Sequence, residues 1–186
     1  MDKAQQLITT AFTLFYRDGI HATGINSVLS ASGIAKKTLY AYFKSKDELI
    51  AATIRYRDEI FSAWIKDRVS RVEKGKNAIY ELFTALNDWF NNQVPEIAAF
   101  QGCYFINVAA EYNDVGNPIH RLCADHKRSI LELIRFHVVA SDVKKEDIDK
   151  MTDYIAMLKE GAIIQASMLG DLGAAITARD MVFRLL

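Results

Sequence analysis

The chain has 186 residues, about half of them hydrophobic, enough for one large helical domain or a small domain attached to a larger one. Its 23 basic and 23 acidic residues leave it neutral. No apolar run approaches the ~20 residues that would span a bilayer, and no secretory leader pattern stands at the N-terminus, which argues against membrane and exported classes. With only Cys103 and Cys123, the expectation is a cytoplasmic protein without a structural disulfide. The charge is divided unevenly: residues 1–50 hold six Lys/Arg against four Asp/Glu, and the remainder 17 against 19, so any basic footprint is local to the N-terminus.

Only Pro95 and Pro118 interrupt the chain and no segment sustains period-two alternation, so the fold class is all-α. Ala4, Leu7, Ile8, Ala11, Phe12, Leu14 and Phe15 mark a first amphipathic helix ending before Gly19. Ile25, Val28 and Leu29 then share one helical face, and Ile34, Leu39 and Phe43 continue an apolar set beyond Gly33. Two helices joined so tightly need a sharp turn, which glycine permits through a positive φ. The second of them, about residues 35–42, turns Lys36, Lys37, Thr38 and the tyrosines outward, groups that can reach base edges and phosphates in a major groove. Ser45-Lys46-Asp47-Glu48 reads as a capping box opening the next helix, with Lys46 placed as a phosphate clamp.

That long helix is expected from Lys46 to about Glu73. Further helices are suggested at about 76–92, 95–101, 102–113, 118–139, 145–169 and 173–185, with loops at 113–118 and after Ser141.

Gly19, Thr23, Val28, Gly33-Ile34-Ala35-Lys36, Thr38-Leu39-Tyr40, Tyr42-Phe43, Ser45-Lys46 and Leu49 together resemble the TetR family of transcriptional repressors. The resemblance covers about the first fifty residues. It implies an N-terminal three-helix helix-turn-helix DNA-binding domain, residues 1–47, joined to a larger helical ligand-binding and dimerisation domain, residues 48–186. By resemblance Thr23, Tyr40, Tyr42 and Lys46 hold phosphates while Lys36, Lys37 and Thr38 face bases. Gly24 replaces a usual hydroxyl residue, so a phosphate contact there comes from the backbone amide. Leu29 and Ser32 stand where small alanines are commoner.

Downstream, Tyr80, Phe83, Trp89, Phe90, Phe100, Tyr104, Phe105 and Tyr112 form a dense aromatic stretch. Asn107 and Glu111, four residues apart, share one helical face within it. Buried, such groups need partners. They are read either as a structural pair, with Arg121 or His126, or as the orienting groups of an otherwise apolar ligand pocket. The resemblance favours a pocket, with Trp64, Phe83, Trp89, Phe100, Cys103, Asn107, Glu111 and His126 as candidate lining for a partly apolar small-molecule inducer. Cys103, after a glycine at a helix start, is also a candidate redox sensor. His120, Cys123 and His126 spread over roughly 120° of one helix, so a metal ion there would need other ligands. No metal or other cofactor is expected.

The segment Met151–Leu169 carries a broad apolar face with small residues that permit close helix approach. Leu158, Ala162, Ile163 and Ala166 are the candidate dimer contacts, since the resembled family pairs its last two long helices across a two-fold axis. The function implied is a homodimeric repressor on a palindromic double-stranded DNA operator, released by a small-molecule inducer. The alternatives are a DNA-binding regulator switched by cysteine oxidation or metal, and a helical enzyme using Glu111 with a histidine. The enzyme reading lacks any phosphate loop, nucleophile motif or paired carboxylates.

Overall fold

The structure, a computed structural model, describes residues 2–186. Among them are nine α-helices and no strand: α1 Lys3–Asp18, α2 Ile25–Ser32, α3 Lys36–Tyr42, α4 Lys46–Ser70, α5 Lys76–Phe90, α6 Tyr104–Glu111, α7 Pro118–Val139, α8 Ile148–Leu169 and α9 Ala174–Leu185, with a short 3-10 turn at Lys145–Asp147. The helix expected at 95–101 is absent. That stretch is irregular because side chains take up its backbone groups: Asn92, in the left-handed region at φ 57°, accepts the Phe100 N–H at 2.7 Å, and Trp89 Nε1 donates to the Ala98 carbonyl at 3.2 Å.

The chain divides into two compact units, with breaks inside α4 and α7. The first comprises the residues up to Glu59 together with Tyr104–His126, so the first fifty residues share their unit with α6 and the start of α7. Its core is the apolar stripe of α1, Leu7, Ala11 and Phe15, with Val28, Leu39, Leu49 and Ile50 from the three following helices, all fully or almost fully buried. A further cluster sets Phe12, Tyr16 and Tyr104 within 5.0–5.7 Å of one another. The buried Arg57 guanidinium lies 5.8 Å from the Phe12 and Tyr16 rings, a cation–π arrangement. Tyr104 shares a 2.8 Å hydrogen bond with Thr53, and burial pushes its phenol up from the ordinary value.

The second unit comprises Ile60–Cys103 and Lys127–Leu186. Here α5 and α8 both pack on α9, burying Ile79, Leu82 and Phe83 with Ile155, Ile163 and Val182. The expected aromatic density is core: Phe61 lies against Trp64 and Trp89 at 5.2 and 5.3 Å, and Phe100 against Trp89 and Phe90 at 4.8 and 4.6 Å. Arg68 bridges Glu81 and Asp88 at 2.6 and 2.8 Å. A second charged cluster joins Lys127, Lys159 and Glu160: the carboxylate accepts from both ammonium groups at 2.7 and 2.6 Å, and Lys127 also donates to Cys103 Sγ at 3.4 Å. Among the described residues no helix is long and apolar enough to cross a membrane, and no group of three or more His, Cys, Asp or Glu is placed to hold a metal ion.

Candidate DNA-binding interface

The reading element is built on its turn. Gly33 stands at φ 66°, ψ 13° and its N–H bonds back to Leu29 O, the left-handed close that lets α2 end and α3 begin three residues later. Ser32, one of the departures from small alanine, has a use here: its buried hydroxyl donates to Leu29 O and accepts from Ile34 N, both at 3.3 Å, stitching the turn from within. From α1, Gln6 Nε2 donates to Ser32 O at 2.9 Å. The angle between the two helices is thus fixed by backbone conformation and three polar contacts.

On the outer side Lys36 and Lys37 are exposed, Thr38 is half-buried, and Tyr40 and Tyr42 are about half exposed. Neither α2, preceded by Gly24, nor α3, preceded by Ala35, has a side-chain cap on its first amides. Open helix starts suit phosphate oxygens, and Lys36 and Lys37 add cations at the start of α3. At the next junction the capping box forms with one shift: Ser45 Oγ accepts the Glu48 N–H at 3.1 Å, while the Glu48 carboxylate accepts the N–H of Lys44 at 2.7 Å.

Two expected phosphate ligands are engaged internally. Thr23 is buried and donates its hydroxyl to Gly19 O at 2.8 Å. Lys46 donates to Ile20 O at 2.6 Å and lies 5.8 Å from the Phe15 ring, so its ammonium reaches a phosphate only by sharing or leaving that carbonyl.

Glu111, read either as part of a structural pair with Arg121 or His126 or as an orienting group of a pocket, accepts the N–H groups of Ile20 and His21 at 2.8 and 2.6 Å, with His21 Nδ1 at 3.0 Å. Beside it Tyr112 stacks on His21 at 5.4 Å. Burial, with the Asp47 and Glu111 carboxylates, pushes the Tyr112 phenol up to about 12. His126 is buried against Phe105, with ring centroids 3.6 Å apart, and meets Asp58 at 2.6 Å. Asn107 is exposed rather than buried. Those three residues belong to the first unit, whereas Trp64, Phe83, Trp89, Phe100 and Cys103 belong to the second.

Of the candidate dimer contacts, Ile163 and Ala166 point into the protomer's own core, at 2% and 4% exposure, because α8 carries two apolar faces and these lie on the inner one. Leu158 lines a groove of about 590 Å³ between α8 and α9, alongside Tyr154, Met157, Met181 and Leu185, and Ala162 lies at its base, itself only 4% exposed. Nothing in the sequence separated the two faces except the run of flexible methionines on the outer one.

The short paired helices, the left-handed turn and the cationic outer face define a helix-turn-helix DNA-binding module. Residues 7–53 match the family described as bacterial regulatory proteins, tetR family. The chain is 24% identical over 163 residues to the HTH-type transcriptional repressor ComR of Escherichia coli (strain K12), covering 84% of this chain and 75% of that protein. It is 23% identical over 164 residues to the HTH-type transcriptional regulator YxaF of Bacillus subtilis (strain 168), covering 88% and 84%. A crystal structure of a TetR-family transcriptional regulator from Streptomyces coelicolor superposes with a TM-score of 0.86 at 27% identity, over 99% of this chain and 88% of that one. Residues 7–53 thus carry the DNA-binding module of that family, and the chain as a whole is similar to TetR-family regulators in fold. It is a transcriptional regulator with a DNA-binding helix-turn-helix, and this family and these relatives are regulators, not enzymes.

Proposed function

We propose that the protein is a repressor that occupies a palindromic operator as a homodimer and is released by a partly apolar small-molecule inducer. The reading is carried by the outer face of α3, where Lys36, Lys37, Tyr40 and Tyr42 stand exposed on a helix whose angle is fixed from behind. Residues 1–47 serve as the reading domain and 48–186 as the ligand-binding and dimerisation domain. Pairing of two chains would set two reading helices about one DNA turn, roughly 34 Å, apart. The inducer acts through α4, which begins at the DNA edge and continues unbroken to Ser70. It releases DNA only if it prefers the conformer that binds DNA poorly.

Binding of the purified chain to DNA from immediately upstream of its own gene, across a salt series with a nonspecific duplex as control, tests this. Specific binding that weakens with salt is expected. Lys37→Ala and Tyr42→Phe should weaken it, and loss of a lysine–phosphate contact should lower the log–log salt slope by about one. Binding no better than to the control, or indifferent to both substitutions, removes the proposed reading face.

A second reading, switching by thiol oxidation, is favoured by the contact of the buried Cys103 Sγ with the Lys127 ammonium at 3.4 Å. If oxidant releases the protein from DNA and Cys103→Ser abolishes that release, this reading stands. Release that survives the substitution removes it.

A further inference from the structure

The turn that launches α2 is held by three side chains. Thr23 donates to Gly19 O at 2.8 Å, Lys46 donates to Ile20 O at 2.6 Å, and the Glu111 carboxylate accepts the N–H groups of Ile20 and His21 at 2.8 and 2.6 Å. Of the three, Glu111 alone comes from outside the first fifty residues, across about ninety positions of sequence. It is the last residue of α6, where a carboxylate opposes the helix dipole, so nothing local to that helix favours it. What favours it is the turn: two charge-assisted bonds to backbone amides, with His21 Nδ1 as a third neighbour at 3.0 Å. Gly19, at φ 87°, completes the fit; a Cβ there would come within 3.4 Å of Glu111 Oε1 in a backbone conformation other residues resist.

We propose that Glu111 is a positioning residue for DNA binding: from α6 it fixes the Gly19–His21 turn, and through it α2 and the reading helix α3, at the angle that specific DNA recognition requires. The inference rests on the DNA-binding reading. It has a sign of its own. Glu111 is an acid one turn of chain from the DNA-binding helices, so if it were only surface charge, removing it would strengthen attraction to a polyanion. As a positioning residue its loss weakens specific binding, because the amides of Ile20 and His21 lose their acceptor and the turn loosens.

The test uses the full chain and a duplex enriched from a random-sequence pool by the wild-type protein, with a scrambled duplex beside it. Glu111→Ala should weaken binding to the enriched duplex by about tenfold or more, equivalent to about 1.4 kcal/mol, and leave binding to the scrambled duplex equal or tighter. Glu111→Gln keeps one acceptor oxygen but turns an NH₂ group toward an amide, and should fall between the two. Without DNA, amide hydrogen exchange at Ile20 and His21 should speed up in Glu111→Ala while that of the α1 core stays slow. Specific binding that is unchanged or tighter overturns the proposal. So does equal loss on both duplexes, which marks general destabilisation, or unaltered exchange at the two amides. A wild-type chain that enriches no sequence would defeat the DNA-binding reading itself, an outcome separate from a variant that binds as the wild type does.

Discussion

The left-handed backbone at Gly33 sets the presentation of α3 together with the polar contacts of Gln6 and Ser32. Gly33 has no atom within 4 Å of where a Cβ would stand, so a substitution there meets no clash and its effect is purely conformational. At φ 66° an L side chain is held in the left-handed region, at a cost of roughly 1–2 kcal/mol. Gly33→Ala should therefore lower unfolding stability by about that amount in a denaturant titration and weaken specific DNA binding with it. A variant as stable as the wild type would show that the turn relaxes into another conformation. The lysines around this glycine divide by environment rather than by type. Lys36 and Lys37 are exposed, while Lys46 is half-buried and spends its ammonium on the Ile20 carbonyl.

At the scale of elements, α8 shows how one helix serves two environments. Its inner face buries Ile155, Ile163 and Lys159, and its outer face leaves Met157 and Met168 exposed. A buried lysine is tolerated because Glu160 answers it, and burial together with neighbouring Lys127 pulls the Lys159 ammonium down from its ordinary value. Burial alone would raise the Glu160 carboxyl, but Lys159 and Lys127 prevail and hold it at about 2, against an ordinary 4.5. A carboxyl depressed in the folded state contributes stability above its unfolded value and loses it as pH falls through the folded one. The stability difference between wild type and Glu160→Gln should thus be constant above about pH 5, shrink between about 4.5 and 2, and vanish below. Equal pH profiles for the two proteins, measured by chemical denaturation, would mean that the cluster does not form.

For the molecule as a whole, the exposed apolar side chains that gather in one place are those along the α8–α9 groove, where Met157 and Met181, each more than half exposed, stand with Leu185. Scattered exposed apolar residues need no explanation, but an apolar groove lined by exposed methionines does. The proposed dimer covers it. Met157→Asp together with Met181→Asp should shift the protein from dimer to monomer in sedimentation velocity and sharply reduce affinity for a two-half-site operator, because coupling of the half-sites is lost. Affinity for a single half-site should change little. A dimer that persists in the double variant places the interface elsewhere.

The helices within residues 19–48 could be read directly from the sequence because the signals that start and stop them are local. A turn glycine, a capping box and apolar spacing act over at most four or five residues, so helix ends and the outward face of α3 follow from neighbours in the chain. The expected 95–101 helix was lost to contacts from Trp89 and Asn92, which lie outside it. Periodicity likewise marked α8 as apolar but could not tell its core face from its outer face, since both repeat with the helical turn. Glu111 was visible as a polar residue needing partners, yet its partners lie about ninety residues away. Local spacing determines which elements form and where they begin; which carboxylate meets which amide depends on how those elements pack, and only the tertiary structure decides that.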